Sequence, residues 1–260
     1  MEMKFIDIHS HLSFADYGGD RDALLARMRA AGVGTITVGT DLASSIEAVR
    51  LAEKHDGIWA SIGVHPKDNP SLPFAEHDFA ELAKHPKVVA IGECGLDYFS
   101  PKGKEPVSEA EKSRQKKEFI KQIEFSVKYG KPLMLHIRDA HDDAYEILKK
   151  YPKARGNLHF FTASSEVAKK FIDLGFTVSF PGVITFAKET QEAVKNIPLD
   201  KMHAETDSPF AAPVPYRGKR NEPTYVIEIV KKIAELRGED FEKVREQLLE
   251  NARKTFTIGI

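Results

Sequence analysis

Phe5-Ile6-Asp7-Ile8-His9-Ser10-His11-Leu12 opens the chain, and its reading decides the fold. Residues 5–9 alternate apolar and polar side chains in the manner of a strand. After the first strand of an open doubly wound sheet the turn usually carries a glycine-rich phosphate loop. Here that turn reads His9-Ser10-His11, which places metal-ligand side chains where the glycines would stand.

Seven further runs of strand type follow, at residues 35–38, 58–64, 88–93, 132–137, 157–160, 176–180 and 202–206. Between and after them lie amphipathic helical stretches at 21–31, 43–55, 75–84, 108–129, 140–150, 165–174, 188–196, 225–237 and 241–254. Gly32, Gly130 and Gly175 fall after helices, where a left-handed cap is expected. Strands that alternate with helices pair in parallel, because a parallel pair needs a crossover connection. Eight such units in about 250 residues match a TIM barrel. No Pro, Gly and Ser-rich linker divides the chain, so residues 1–260 are expected to form a single α/β domain, an amidohydrolase-like (β/α)8 barrel. The one Pro-dense stretch, 209–223, falls between the eighth strand and its helix and reads as a loop of the functional rim.

Composition narrows the classes. Hydrophobic residues at 42% and charged residues at 30% suit a globular protein with a large core and exclude a disordered chain. The N-terminus lacks a signal pattern and no apolar run approaches the 18 or so residues that cross a bilayer, so a cytoplasmic location and no membrane partner are expected. The lone Cys94 excludes a disulfide framework and a Cys-rich zinc site, and it points away from its neighbour Glu93. A net charge of −1 gives no global attraction to nucleic acid, so phosphate binding would rest on dications and a local basic loop.

Asp7, His9 and His11 form D-x-H-x-H, and a strict two-residue strand period would turn all three to one face. Further ligand types stand at other strand ends: Glu93 at the fourth, His136 at the fifth, His159 at the sixth and Asp207 just past the eighth. In a barrel these ends ring one pole, so residues 200 positions apart meet in one mouth. Read blandly, Glu93 is a rim ion pair, the histidines fill core and Asp207 caps a loop. Buried imidazoles and carboxylates seldom gather without a metal or a partner. His9, His11, Glu93, His136, His159 and Asp207 therefore read as ligands of two divalent ions, with Glu93 able to bridge them and zinc, manganese or magnesium all suited to N and O donors.

Substrate contacts are expected from His65 at the end of the third strand, from Arg138 beside His136, and from Arg217, Lys219 and Arg220 in the rim loop. Each has a plainer reading as a rim ion pair or solvated charge. Lys102 and Lys104 are weaker candidates of the same kind, and Glu205 and His203 are expected deeper in the barrel in support roles.

These motifs together resemble the TatD family of metal-dependent deoxyribonucleases. The likeness runs through Asp7 to His11, Gly63-Val64-His65-Pro66, Ile91-Gly92-Glu93-Cys94-Gly95-Leu96-Asp97-Tyr98, His136-Ile137-Arg138 and Glu205-Thr206-Asp207-Ser208-Pro209, then Ala212-Pro213 and residues 217–223. It implies a TIM barrel, two divalent metals on the six ligands named above, and exonuclease-like cleavage of DNA. One stretch departs: the family usually carries a small Cys and then Phe-Ser-Gly after its sixth-strand histidine, whereas Phe160-Phe161-Thr162-Ala163 stands here.

On this reading a water held between two ions ionises near neutral pH and attacks phosphorus as hydroxide. Asp207 orients that water and takes its proton, Glu93 bridges the ions, and single-stranded or end-bound DNA is the substrate of a protein expected to act as a monomer. Two other classes fit the same sequence: an amidohydrolase-type enzyme acting on a small amide, lactone or phosphoester, and a non-catalytic barrel that binds phosphate ligands.

Overall fold

Each β-branched run does pair with the next in parallel, and each pairing is bridged by helix. The computed structural model describes residues 2–67 and 73–259. Its strands are β1 (Phe5–Ser10), β2 (Val33–Val38), β3 (Ile58–Ile62), β4 (Val88–Asp97), β5 (Leu133–Arg138), β6 (Gly156–Leu158), β7 (Phe176–Phe180) and β8 (Met202–Ala204). They lie in one sheet in chain order. The ring closes just beyond β8, where Asp207 N–H donates to His9 O at 2.9 Å and His11 N–H donates to Ser208 O at 2.8 Å. The expected (β/α)8 barrel is the observed fold.

The helices are α1 (Arg21–Ala31), α2 (Leu42–Lys54), α3 (Glu76–Ala83), α4 (Glu109–Tyr129), α5 (His141–Leu148), α6 (Ser165–Asp173), α7 (Lys188–Asn196), α8 (Val226–Arg237) and α9 (Phe241–Phe256). Local chemistry sets their ends. Asp41 and Ser44 form a reciprocal capping box on α2, and Ser108 and Ser164 cap α4 and α6 through their hydroxyls. Gly32 and Gly130 close α1 and α4 in the left-handed conformation that only glycine adopts without cost. No helix among the described residues is long and apolar enough to cross a membrane.

Strand alternation divides the core in two. Side chains such as Ile62, Leu135, Val178 and Ala204 pack outward on the helices in one large cluster. Ile6, Ile8, Ile36, Val38, Trp59, Ala90 and Met134 fill the inside of the barrel with Leu249, Ala252 and Phe256 of α9, which plugs its lower pole. Burial of these apolar side chains contributes roughly 1.5–3 kcal/mol each before the entropy of ordering the chain is counted.

On the side of β6 to β8 the barrel interior is polar, and most of its polar side chains pair with one another. Asn157 Nδ2 donates to Ser179 Oγ at 2.7 Å, and Ser179 Oγ donates to Glu205 Oε2 at 2.7 Å. His203 lies lower, with Nε2 3.0 Å from Thr177 Oγ1 and 3.3 Å from Thr255 Oγ1. Glu205 and His203 are thus buried beneath the rim.

Candidate metal centre and active site

Two irregularities aim the first ligands. The register of β1 against β2 shifts between Asp7 and Ser10, a bulge that re-aims side chains. The strict alternation expected for D-x-H-x-H therefore fails. Asp7 turns to the seam with β8, accepting from Thr206 N at 2.8 Å, Thr206 Oγ1 at 2.6 Å and His9 N at 3.2 Å. His9 and His11 alone enter the mouth, their Nε2 atoms 3.3 Å apart. The register of β4 against β5 shifts likewise between Ile91 and Cys94, which carries Glu93 into the mouth while Cys94 packs among the helices.

Glu93 is the centre of the arrangement. Its Oε2 lies 3.4 Å from His9 Nε2 and 3.6 Å from His11 Nε2, and Asp207 Oδ1 lies 3.7 and 3.3 Å from the same two nitrogens. Its Oε1 lies 2.8 Å from both His136 Nδ1 and His159 Nε2, themselves 3.2 Å apart. Donor atoms of His9, His11 and Glu93, and those of Glu93, His136 and His159, gather within 4.8 Å of one another, spacings that could hold a metal ion. His9, His159 and Asp207 make a group of the same kind. His159 and Asp207 stand one and three residues past the ends of β6 and β8, which are shorter than their sequences suggest.

Supporting contacts orient these rings. His11 Nδ1 meets Val38 O at 2.9 Å, and His136 Nε2 meets Asp97 Oδ2 at 3.0 Å. Glu205 Oε1 lies 3.7 Å from His159 Nδ1 and accepts from Phe160 N–H. Such outer partners fix which ring nitrogen faces the centre. Asp97 has no expected role in the sequence reading, yet it joins His65 and His136 in a further metal-competent group and is held by Lys67 Nζ at 2.9 Å. The available signal was strand length: β4 runs four residues past Glu93, and positions 93, 95 and 97 of a strand share a face.

Electrostatics follow from burial among like and unlike groups. Burial pushes the Glu93 carboxyl up, but the charge of His159 and hydrogen bonds from His136, His159 and His9 hold it well below the usual range. Burial lowers His159, yet Glu93 and Glu205 raise it well above an ordinary imidazole. Burial and the neighbouring His159 push His9 down, while Asp207 and Glu93 outweigh burial at His11 and raise it. Among the described residues no Lys or Arg comes within ion-pair distance of Glu93 or Asp207.

The centre floors a cavity of about 920 Å³. His65 lines it, with Nε2 3.7 Å from Glu93 Oε1, and so does Arg138, whose guanidinium lies 3.5 Å over the Phe99 ring. Phe14, Phe160 and the half-exposed Phe210 form its other walls, and Thr162 and Ala163 of the departing stretch lie there too. Arg217, Lys219 and Arg220 stand outside it. Arg217 stacks on Phe186, and Arg220 grips Asp20 at 2.6 and 2.8 Å and covers the Tyr17 ring. Lys102 and Lys104 are exposed and also lie off the cavity.

Known proteins share this barrel and much of this sequence. A family profile described as TatD related DNase matches residues 6–257. The uncharacterized metal-dependent hydrolase YabD of Bacillus subtilis is 40% identical over 97% of this chain and 99% of its own. The 3'-5' ssDNA/RNA exonuclease TatD of Klebsiella pneumoniae is 35% identical over 98% of each. The crystal structure of YJJV, a TatD homologue from Escherichia coli, superposes with a TM-score of 0.89 at 28% identity, covering all of both chains. With a matching profile, matching relatives and a matching barrel, this chain belongs to the TatD family and is a metal-dependent hydrolase.

Proposed function

We propose that the chain is a two-metal nuclease that removes nucleotides from an end of single-stranded DNA. The observation that carries this reading is the Glu93 carboxylate, one oxygen of which faces His9 and His11 while the other faces His136 and His159. The donors fit a pair of ions: imidazole nitrogens 3.2 and 3.3 Å apart point at common space, and no Lys or Arg compensates the buried carboxylates among the described residues. His9, His11 and Asp207 would hold one ion, His136 and His159 the other, with Glu93 shared; zinc and manganese suit this set, and magnesium suits its carboxylates. When bound, such ions acidify water and neutralise charge on phosphate oxygens.

The chain's own residues supply position and proton transfer. Asp207 is 14% exposed at its side chain and reaches the cavity, so it accepts the proton of the attacking water. His65 and Arg138 contact the non-bridging oxygens, and Asp97 keeps His136 turned to the centre. Phe160 and Phe210 line the cavity and offer faces to unstacked bases, which favours a single strand over a duplex. The exonuclease named among the relatives supports the same substrate.

The test pairs elemental analysis of protein purified without chelator with a metal-titrated assay on end-labelled single-stranded DNA and RNA, run beside lactone, amide and phosphomonoester substrates. Stepwise shortening from one end is expected, and Asp207→Asn should slow it by about 10²-fold or more while DNA binding persists. Turnover of the lactone or amide with oligonucleotides left intact would transfer the enzyme to the amidohydrolase reading. Nucleotide binding that is indifferent to chelation, without turnover, would favour a non-catalytic barrel.

A further inference from the structure

A second group of cations, distinct from those near the catalytic rim, gathers at the opposite pole. A cavity of about 540 Å³ opens between the first residues of β5 to β8 and the end of α9. Its walls carry Lys131, Lys153, Arg155, Lys201 and Lys254 against one carboxylate, Asp200. The metal-bearing mouth has the reverse balance, with Glu93, Asp139 and Asp207 against Arg138. A chain with a net charge of −1 has thus collected positive charge in one concave place.

Several surface lysines elsewhere pair with a carboxylate three residues away, as Lys84 does with Glu81 and Lys195 with Glu192. In the lower cavity Lys201 and Lys254 have loose partners, Asp200 at 3.6 Å and Glu250 at 3.4 Å. Lys131, Lys153 and Arg155 have no carboxylate within ion-pair distance among the described residues. Lys131 Nζ donates to Val88 O at 2.6 Å, and Arg155 Nη1 to Pro152 O and Ala154 O at 2.7 and 2.6 Å. These are neutral acceptors, so the positive charges stay uncompensated. Burial lowers the Lys131 pKa, a cost that a bound anion would remove.

The shape is also suited to a ligand. Glycines at 130, 156 and 175 leave the walls without side chains, and a Cβ on Gly175 would stand 3.1 Å from Arg155 Cδ and Nε, displacing the guanidinium. Thr177 and Thr255 also line it, their hydroxyls turned to His203 Nε2 at 3.0 and 3.3 Å. The volume is that of a small-molecule site, and cations converging in a concave, partly buried space bind phosphate groups strongly.

We propose that this lower pole is a second binding site, for a small phosphate-bearing anion. The site is independent of the metal centre and of the substrate assigned to it, so either assignment can fail without the other.

The protein as purified is titrated calorimetrically with adenosine 5'-monophosphate, inorganic pyrophosphate and adenosine, before and after chelation. Binding of the phosphates but not adenosine is expected, and it should survive chelation because no metal ligand takes part. A combined Lys153→Gln, Arg155→Gln and Lys201→Gln variant, altered only at the cavity wall, should weaken binding by about tenfold or more and leave hydrolase activity without added ligand unchanged. A preference for adenosine 5'-monophosphate over pyrophosphate would assign the ligand as a nucleotide; the opposite order would assign a bare phosphate anion, and both uphold the site. It is overturned if neither phosphate binds at about 10 mM, if chelation abolishes binding, if the combined variant binds unchanged, or if only oligonucleotides bind.

Discussion

Asp7 is the residue whose replacement most sharply tests how the barrel is closed. Its carboxylate takes hydrogen bonds from His9 N–H, Thr206 N–H and the Thr206 hydroxyl, all fully buried, and so joins the first strand to the chain just past the last. Asp7→Ala strands two buried backbone donors at about 1–3 kcal/mol each and leaves the hydroxyl to find another acceptor. The expected loss is about 2–6 kcal/mol, a large share of the 5–15 kcal/mol that typically holds a domain together. Asp7→Asn keeps an acceptor for both backbone donors and an amide that can donate to Thr206 Oγ1, so it should cost about 1 kcal/mol or less at neutral pH. Guanidinium denaturation of each variant, with metal and with chelator, reads the difference. Burial, opposed by those three donors, raises the Asp7 pKa well above its usual 3.8. A raised carboxyl contributes stability below 3.8 that is lost as pH rises through its folded value, so the Asn variant should gain on the wild type as pH rises above about 4. An Ala variant within about 1 kcal/mol of wild type would show that Asp7 does not latch the barrel.

Glu205→Gln removes the charge behind His159 while nearly preserving its volume; metal affinity, measured by competition with a chromophoric chelator, should fall about 10- to 100-fold, and unchanged affinity would reduce Glu205 to a core residue. Burial lowers His203 to about 3, so it is neutral in the fold. The unfolded chain takes up that proton below 6.5 and the folded one only near 3, so His203 subtracts stability as pH falls through this window, about 3 kcal/mol by pH 4.5. His203→Gln should lose less stability than wild type between pH 6.5 and 4.5, and parallel urea midpoints across that range would contradict the assignment.

Much of the site could be read along the chain because its parts are local. His9 and His11 are two residues apart, and Glu93, His136, His159 and Asp207 each announce themselves by falling at the end of an apolar run. The family motifs sharpen the same picture, since Gly92-Glu93-Cys94-Gly95 and Thr206-Asp207-Ser208-Pro209 are quoted from contiguous residues. What the chain alone hides has one origin, contact between distant segments. Asp7 was expected beside the histidines because a strand alternates, but the bulge that turns it to Thr206 is a matter of register with another strand. Arg220 reads as a phosphate contact because it follows Asp207 closely in sequence, and only the fold shows that it pairs with Asp20, 200 positions away.

By itself the sequence determined that eight strands alternate with helices and that imidazoles and carboxylates cluster at their C-terminal ends. These depend on residue type and short periodicities, which each segment carries alone. Only the tertiary structure decided that Glu93 shows one oxygen to each histidine pair, that Asp97 and Glu205 brace His136 and His159, and that five cations meet at the lower pole. Those facts arise from strand register and from which surfaces face each other when the ring closes, and no local pattern encodes either.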